Sequence, residues 1–252
     1  MQIAGCTALV TGGNRGIGEA FVRALLKAGA RRVYVGARNP AEAAALVAEF
    51  PDHARAVTLD VTAEHDVTAA AERCTDVSLL INNAGAFTQR LLIGAPDMSG
   101  ARQEMEVNYF GTLAMCRAFA PVLAKNGGGA IVNVLSAAAI VNLPVMGGYG
   151  PSKAATRSLC AAVRAELADQ GTRVSALIVG SVDTRMASHV QGVKESPDDI
   201  AVAGLRAIEH GIDELDTDHM AIDVRAQLAL DPKALERRLA KMLKSAVVRT
   251  GR

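Results

Sequence analysis

The chain has 252 residues, of which 50% are hydrophobic and 21% are charged, and its formal net charge is +1. This composition is ordinary for a globular protein, and the charge gives no electrostatic reason to expect nucleic acid or an anionic membrane as a partner. Aromatic residues make up only 3% of the chain, which argues against a platform for stacking bases.

The length suits one large α/β domain or two small ones. No Ser/Pro-rich or charge-rich linker divides the sequence, so we expect one domain over 1–252 with an atypical segment at about 212–252. No apolar run approaches the ~20 residues that a membrane helix needs. The N-terminal stretch MQIAGCTALV lacks a basic leader before a long apolar run, so we expect a cytoplasmic protein.

The cysteines are scattered along the chain at Cys6, Cys74, Cys116 and Cys160, without CxxC spacing. Such a distribution favours buried free thiols in a reducing compartment over disulfides or zinc ligands. None lies in a setting typical of a reactive thiol, so we expect neither a metal site nor a catalytic cysteine.

Apolar runs alternate with helical patterns from one end of the chain to the other. The predicted strands are 6–10, 32–36, 55–59, 77–82, 130–135 and 174–179, with a short seventh near 213–215. The tail over 223–244 is predicted as one further helix. This alternation predicts right-handed crossovers and an α/β fold, a doubly wound parallel sheet of six or seven strands with helices on both faces.

Glycine and polar residues gather just past the end of each predicted strand. They are the loop TGGNRGIG at 11–18, Arg38, Asp60, NNAG at 82–85, Ser136 and the loop 180–184. The carboxyl ends of parallel strands share one edge of the sheet, where open α/β sheets bind their ligands. The sequence therefore predicts a ligand site at that edge.

The loop TGGNRGIG joins the first strand to the first helix. Gly12 permits a tight turn, Gly16 lets the backbone approach a pyrophosphate, and Gly18 lets helix and strand pack closely. The helix N-terminus offers N–H groups and a partial positive charge to phosphates. The G-x3-G-x-G spacing matches neither G-x-G-x-x-G nor a P-loop, so alone it is compatible with a plain glycine turn.

Together with NNAG, Ser136, the Y-x3-K pair of Tyr149 and Lys153, and Asn108, this loop resembles the short-chain dehydrogenase/reductase family over roughly 5–211. The resemblance implies a Rossmann-type fold and a nicotinamide cofactor. The implied cofactor-binding residues are Gly12, Asn14, Arg15, Gly16, Ile17, Gly18, Arg38, Asp60, Val61, Asn83, Ala84, Gly85, Tyr149, Lys153, Val182 and Thr184.

Several of these positions have structural alternatives. By resemblance Asp60 contacts the adenine, 83–85 lies along the cofactor ribose, and Thr184 bonds the nicotinamide carboxamide. Asp60 is equally suited to cap a helix, and Asn82 and Asn83 to tie strands together. One departure from the family is Val179-Gly180 after the sixth strand, where Pro-Gly is usual, which makes the turn before Thr184 less rigid.

The residues around the second strand favour NADP(H) over NAD(H). An acid at the end of that strand holds the ribose 2′-hydroxyl in NAD-preferring folds, and Ala37 occupies this position here. Arg15 and Arg38 suit a 2′-phosphate through charge-assisted bonds, and both resemble the basic pair of NADP(H)-preferring family members. The alternative is that both guanidiniums are solvated surface charges.

Tyr149 and Lys153 are predicted to act together on a proton. Four residues apart on a helix, they share one face, and a nearby cation favours the phenolate, so we expect the phenol pKa to fall from ~10 towards neutrality. By resemblance, Lys153 also bonds the ribose, Ser136 holds the substrate oxygen and Asn108 anchors a water. The alternatives are a surface pair, a loop cap and a backbone contact.

The loop 137–148 and the stretch 185–193 are expected to wall the substrate pocket. Their apolar residues include Ala138, Ile140, Leu143, Val145, Met146 and Met186. Such a pocket suits a small apolar ketone or secondary alcohol. His189 is the exception; it either bonds substrate or faces water, and we favour water.

The predicted helices 109–124 and 154–168 are apolar on more than one face, which indicates burial on both sides. By resemblance they form a homodimer interface. The family's Gly-rich final strand is absent, which argues against a tetramer. The sequence predicts an NADPH-dependent carbonyl reductase, reversibly an alcohol dehydrogenase. The alternatives are a 3-oxoacyl carrier-protein reductase and an NADPH-sensing binding protein without turnover.

Overall fold

The computed structural model describes residues 1–188 and 190–249, with side chains up to Leu243, so the expectation for His189 lies outside the described residues. Its strands are β1 Thr7–Thr11, β2 Arg32–Ala37, β3 Ala54–Thr58, β4 Leu79–Asn82, β5 Gly129–Val134, β6 Thr172–Ile178 and β7 Glu214–Asp216. They form one parallel sheet in the order β3-β2-β1-β4-β5-β6-β7.

The strand order reverses beside β1, whose neighbours are β2 on one side and β4 on the other. Because every pairing is parallel, all the carboxyl ends lie at one edge, and the crevice next to β1 is where such sheets bind ligands. The predicted fold is therefore confirmed, including the short seventh strand at Glu214–Asp216.

The helices are α1 Gly16–Lys27, α2 Ala44–Glu49, α3 Glu64–Arg73, α4 Ser99–Met105, α5 Gly111–Lys125, α6 Tyr149–Glu166, α7 Pro197–His210, α8 His219–Leu230 and α9 Pro232–Arg249. Phe21 of α1 and Ile200 of α7 pack in the core on one face of the sheet. Phe119 of α5 and Leu159 of α6 pack on the other face. Strands and helices are thus held by two apolar layers, as a doubly wound sheet requires.

The tail was expected to be one helix over 223–244, and that prediction is wrong. Two helices, α8 and α9, meet at Asp231, whose backbone is extended at φ −151° and ψ 91°. The Asp231 carboxylate accepts a hydrogen bond from the Ala234 N–H at 2.9 Å. Pro232 has no N–H for a helical bond, so this sequence ends one helix and begins the next.

None of the helices within 1–188 and 190–249 combines the length and the apolar character that crossing a membrane requires.

Candidate active site

The glycine loop has the geometry that close approach to a ligand requires. Gly12 and Gly16 have φ of +62° and +55°, the left-handed region that glycine adopts without a steric penalty. A Cβ at Gly18 would overlap the carbonyl oxygen of Gly12, so helix α1 lies against the end of β1 only because residue 18 has no side chain. Ile17 beside it packs partly buried against the core.

The loop after β6 covers the glycine loop. Thr184 places its methyl group 3.3 Å from where a Cβ of Gly16 would be, and its hydroxyl faces the Val182 carbonyl at 3.5 Å. Val182 is buried in the core and pairs with Glu195 through an isolated bridge. Both predicted residues therefore lie at the switch-point edge, next to the N-terminus of α1.

The end of β4 is tied to β1 by the residues of NNAG. The Asn83 amide donates to the carbonyls of Thr11 and Gly12 at 3.0 and 3.2 Å. The backbone N–H groups of Asn83 and Ala84 both donate to the Thr11 hydroxyl at 3.0 Å. Asn83 therefore ties the end of β4 to the end of β1, which is the structural alternative that the sequence offered for this residue.

Asn82 links the next two strands. It donates to Asn133 at 2.9 Å, across the register position at which β4 and β5 place these residues opposite each other. The Asn82 amide therefore ties β4 to β5, which is the structural alternative that the sequence offered for this residue.

Asp60 lies in a turn after β3. Its carboxylate accepts from the N–H and the hydroxyl of Thr62 at 2.9 and 2.7 Å. Helix α3 begins four residues later, with Ala63 as its N-terminal boundary, so the helix-cap alternative for Asp60 is wrong. Burial opposes the ionisation of Asp60. The two hydrogen bonds from Thr62 and the positive charge of Arg38 favour it more strongly, so the pKa of Asp60 is lowered.

The basic pair expected around the end of β2 is exposed. Arg15 and Arg38 form no ion pair among the residues that the structure describes, and Arg38 acts electrostatically on Asp60. Asn14 of the glycine loop donates instead to Glu42 at 2.7 Å. The two guanidiniums are therefore free to bind an anion, while the Asn14 side chain is already engaged with a carboxylate.

Asn108 lies in a π-helical turn, Glu106–Phe110, between α4 and α5. Such turns break the regular backbone bonding and are frequent at functional sites. The Asn108 amide donates to the Ser152 hydroxyl at 2.8 Å and to the Ala86 carbonyl at 3.0 Å. Its backbone carbonyl accepts from the Thr156 hydroxyl at 2.9 Å, which fixes the turn against α6.

Val61 and Gly85 complete the surroundings of Asn108. Val61 is buried where β3 ends and closely faces Gly111 at the start of α5. A Cβ at Gly85 would lie 3.3 Å from Asn108 Oδ1 and 3.7 Å from Lys153 Nζ. Gly85 therefore marks the point at which Asn108 and Lys153 converge.

Tyr149, Lys153 and Ser136 meet at the end of β5. The Lys153 ammonium donates to the Val134 carbonyl at 2.9 Å and lies 5.7 Å from the centroid of the Tyr149 ring. The Ser136 hydroxyl accepts from the Ala138 N–H at 3.2 Å and lies near enough to the phenol to lower its pKa. All three side chains are buried, so the alternative of a plain surface pair for Tyr149 and Lys153 is wrong.

Burial controls the protonation of both helix residues. It raises the pKa of Tyr149 to about 12, against the opposing hydrogen bond from Ser136. It also lowers the pKa of Lys153 to about 8. The expectation that Lys153 brings the phenol pKa towards neutrality is wrong for the protein alone, because desolvation of the phenolate exceeds any attraction by the ammonium.

Asp218 is a site-supporting residue that the sequence argument missed. Its buried carboxylate accepts from the Gly180 N–H at 2.6 Å and caps α8 through the Ala221 N–H at 3.0 Å. A Cβ at Gly180 would overlap this carboxylate. Asp218 thus fixes the turn that lacks the family's proline. The predicted tail helix began at 223, five residues after Asp218 and too late for Asp218 to be recognised as its cap; α8 begins at His219.

The C-terminal helices pack onto the expected substrate loop. One apolar cluster contains Leu143 and Tyr149 together with Val224 of α8 and Leu235 of α9. Ala138 is buried in the same cluster, and Ile140 and Met146 pack partly buried against it. Met186, from the loop after β6, is exposed. The atypical tail therefore forms part of the apolar surroundings of Tyr149.

A phosphate-accepting glycine loop at the switch point, followed along the same edge by a buried Tyr–Lys–Ser–Asn group, defines a dinucleotide-dependent oxidoreductase of the Rossmann class. The model of the short chain dehydrogenase family matches residues 6–194. The chain belongs to this family of short-chain dehydrogenases/reductases, which act on the CH–OH/C=O pair with a nicotinamide dinucleotide as cofactor.

Named relatives differ in their substrates. A short chain dehydrogenase from Burkholderia cenocepacia, solved in complex with NADP, is 44% identical with a TM-score of 0.90, over 95% of this chain and 99% of that one. A 3-alpha-(or 20-beta)-hydroxysteroid dehydrogenase of Mycobacterium bovis is 33% identical over 82% of this chain and 79% of its own length. An L-tagatose-forming galactitol 2-dehydrogenase of Cereibacter sphaeroides is 38% identical over 73% and 74%.

Proposed function

We propose that this protein is an NADPH-dependent carbonyl reductase in which Tyr149 exchanges the proton. The observation that supports this most directly is the convergence of Asn108, Ser136, Tyr149 and Lys153, all buried, at the carboxyl edge of the sheet. A group held for proton transfer must lie in hydrogen-bond reach of the reacting oxygen, and the Ser136 hydroxyl lies near enough to the phenol of Tyr149 to affect its pKa.

The bound nicotinamide supplies or accepts the hydride; the chain handles the oxygen and its proton. The Ser136 hydroxyl orients the carbonyl oxygen, and the protonated phenol of Tyr149 donates to that oxygen as negative charge develops on it. The Lys153 ammonium, held by Val134, is charged below its pKa of about 8 and stabilises the phenolate left behind. Lys153 and Tyr149 are also the residues that would hold the cofactor ribose.

The preference for NADP(H) is supported by the two exposed guanidiniums. Arg38 follows β2 directly and Arg15 lies in the glycine loop, and Ala37 at the end of β2 introduces no carboxylate that would repel a 2′-phosphate. An unpaired guanidinium binds a phosphate through charge-assisted, bidentate bonds at no cost to an existing ion pair. A similar solved structure contains NADP, which agrees with this assignment.

The substrate is proposed to be a small apolar ketone or, in the reverse direction, a secondary alcohol. The support is the apolar cluster around Tyr149, in which Leu143 and Leu235 are buried. The relatives act on a steroid and on a sugar alcohol, so the family alone does not select between polar and apolar substrates. Here the pocket composition favours the apolar class.

A homodimer is proposed through α5 and α6. Phe110, at the start of α5, is 49% exposed although it stacks edge-on against Tyr109 at 5.0 Å between centroids. Met98, which lines a surface recess together with Phe110, is 65% exposed, and large apolar side chains exposed together indicate a protein partner. The family forms oligomers, so a second copy of this chain is the partner that we propose.

The test is consumption of NADPH by the purified protein over a panel of aliphatic, cyclic and sugar-derived ketones, with an acyl thioester included. We expect turnover with apolar ketones and slow turnover with polar ones. Preference for the thioester would favour a 3-oxoacyl carrier-protein reductase. Tight NADPH binding without oxidation by any ketone would favour a sensing role and contradict the proposal.

A further inference from the structure

Glu104 of α4 is a buried carboxylate to which the reaction assigns no role. Its side chain is 0% exposed. Oε1 accepts two hydrogen bonds from Thr88, one from the N–H at 2.7 Å and one from the hydroxyl at 2.9 Å. Oε2 is buried without a hydrogen-bond partner among the residues that the structure describes. Burying a carboxylate without full pairing is costly, so this arrangement requires an explanation.

The surroundings of Glu104 lead to Tyr149 along two paths. A Cβ at Gly148 would lie 2.7 Å from Glu104 Oε2, so the carboxylate packs directly against the residue that precedes Tyr149. Thr88, which binds the other oxygen, follows Phe87, whose ring lies 5.2 Å from the Tyr149 ring at an angle of 58°. The carboxylate thus braces both the N-terminus of α6 and the aromatic neighbour of the phenol.

Among the residues whose side chains the structure describes, the charges that face the phenol come from two elements. Lys153 of α6 is the cation and Glu104 of α4 is the anion, while the end of β5 contributes the neutral Ser136 hydroxyl. The segment containing Phe87 and the C-terminal helices contribute apolar side chains to the same cluster. An anion near a phenol disfavours the phenolate. Accordingly, burial is the main cause of the raised pKa of Tyr149, and Glu104 adds to it.

We propose that Glu104 is a positioning residue that holds the N-terminus of α6 and whose buried charge adds to burial in keeping Tyr149 protonated, and so poised for carbonyl reduction rather than alcohol oxidation. In reduction the substrate carbon gains a hydride from NADPH, the phenol O–H bond breaks, and its proton moves to the substrate oxygen. Oxidation needs the phenolate at the start, and burial together with the anion at Glu104 confines that form to alkaline solution. This inference rests on the proposed role of Tyr149.

The experiment measures kcat/KM for oxidation of a secondary alcohol with NADP⁺ as a function of pH. Glu104→Gln keeps the shape and removes the charge, so we expect the rising limb to move to lower pH by about one unit. Glu106→Gln removes an equal negative charge from an exposed residue two positions away, and it should leave the rising limb of the pH profile unchanged. Glu104→Asp keeps the charge and should stay close to the wild-type profile.

A second measurement needs neither cofactor nor substrate. The chain has three tyrosines and no tryptophan, so ionisation of one phenol is visible in the ultraviolet difference spectrum. Subtracting the titration of Tyr149→Phe isolates Tyr149. We expect its midpoint to be lower in Glu104→Gln than in the wild type, by a similar shift. A purely structural role for Glu104 would move neither the rate profile nor this midpoint in that direction.

The inference is overturned if Glu104→Gln leaves both the limb and the midpoint unchanged, or if Glu106→Gln shifts them equally. If Glu104→Gln does not fold, the double variant Thr88→Val, Glu104→Leu takes its place. It replaces the Thr88 hydroxyl and the Glu104 carboxylate, which bond to each other, by apolar groups, and it should shift the pH profile and the midpoint in the same direction. If Tyr149→Phe retains normal turnover, the proposed function itself fails. The two failures are therefore distinguishable.

Discussion

At Tyr149 and Lys153, burial acts on both side chains in the direction that favours their neutral forms. The pKa of Tyr149 rises to about 12 and the pKa of Lys153 falls to about 8. Near neutral pH the phenol therefore keeps its proton, while most of the lysine remains charged. This combination is the one that a proton donor beside a stabilising cation requires.

The lowered pKa of Lys153 leads us to expect that cofactor binding depends on pH. Its folded-state pKa of about 8 means that the ammonium is present below that value and is lost as the pH rises through it. Because a neutral amine binds the ribose hydroxyls more weakly than a charged ammonium does, we expect the NADPH dissociation constant to rise several-fold between about pH 7 and about pH 9. Fluorescence titration of NADPH measures this change.

Lys153→Met is the control for that titration. It should bind NADPH weakly and with little dependence on pH, because no titrating amine remains. A wild-type dissociation constant that stays constant across the same range contradicts the lowered pKa of Lys153.

Arg38 is expected to decide between the two nicotinamide cofactors. Arg38→Ala removes a guanidinium that has no ion-pair partner among the described residues, so the loss falls on the ligand. A charge-assisted bond contributes about 1.5–3 kcal/mol, so the NADPH dissociation constant should rise by about tenfold or more. The constant for NADH, which lacks the 2′-phosphate, serves as the internal control and should change little. Equal losses for both cofactors contradict the assignment.

The placement of Tyr149 and Lys153 on one helical face was predictable from their spacing, whereas their protonation was not. The Y-x3-K pair fixes Tyr149 and Lys153 on one helical face whatever the rest of the fold does. Their pKa values depend on burial by elements distant in sequence, and Glu104 lies 45 positions before Tyr149. Asn83 was identified as a site residue, but its side-chain partners on β1 depend on the strand order.

Among the elements, α8 determines how the loop after β6 is held. Asp218 at the N-terminus of α8 binds the Gly180 N–H, and the loop then runs through Val182 to Thr184 over the glycine loop. In the family a proline usually restricts the backbone at this turn. Here the Asp218 carboxylate restricts it instead, by accepting a hydrogen bond from the Gly180 N–H. The Asp218 side chain therefore connects the C-terminal segment directly to the loop after β6.

Asp218→Asn should loosen that loop while keeping most of the helix cap. The amide oxygen still accepts from Ala221, but the amide nitrogen now faces the Gly180 N–H, and a charge-assisted bond is lost. We expect NADPH affinity to fall several-fold, measured by fluorescence titration together with hydrogen exchange of the loop.

Asp231→Asn is the matched control, because Asp231 caps α9 away from the cofactor edge. It should leave NADPH affinity unchanged. Equal affinity in the wild type and in Asp218→Asn would remove the link between α8 and the cofactor loop.

Element types were predicted better than element ends. All seven strands form, but β6 begins at Thr172, two residues before its predicted start. Strand ends follow from hydrogen-bonded register with neighbours, and a single strand does not contain that information. The tail was predicted as one helix because its apolar spacing runs across Asp231, where the cap and Pro232 break the backbone.

For the whole molecule, the parallel sheet explains why residues far apart in sequence share one site. Parallel pairing follows from strand–helix alternation, so the location of the site at the carboxyl edge was predictable. That the chain is one domain remains a prediction. We propose it because Arg157 of α6 and Arg225 of α8 both bind Glu214 of β7, at 2.7 and 2.8 Å, which joins the tail to the sheet.

The proposed homodimer is tested at Phe110. Phe110→Asp places a charge on an exposed apolar side chain at the start of α5, so it should convert dimers to monomers in sedimentation velocity. Leu230→Asp, on a side chain that is 87% exposed at the end of α8, is the control and should leave the dimer intact. A wild-type monomer at micromolar concentration contradicts the proposal.

The central claim is that Tyr149 supplies the proton while NADPH supplies the hydride. Tyr149→Phe removes only the phenol oxygen, so the most direct test measures ketone reduction and NADPH affinity in this variant side by side. We predict a loss of about 10²–10⁴-fold in kcat, with an NADPH dissociation constant within a few-fold of the wild type. A variant that binds NADPH normally and reduces ketones at close to the wild-type rate would contradict the mechanism.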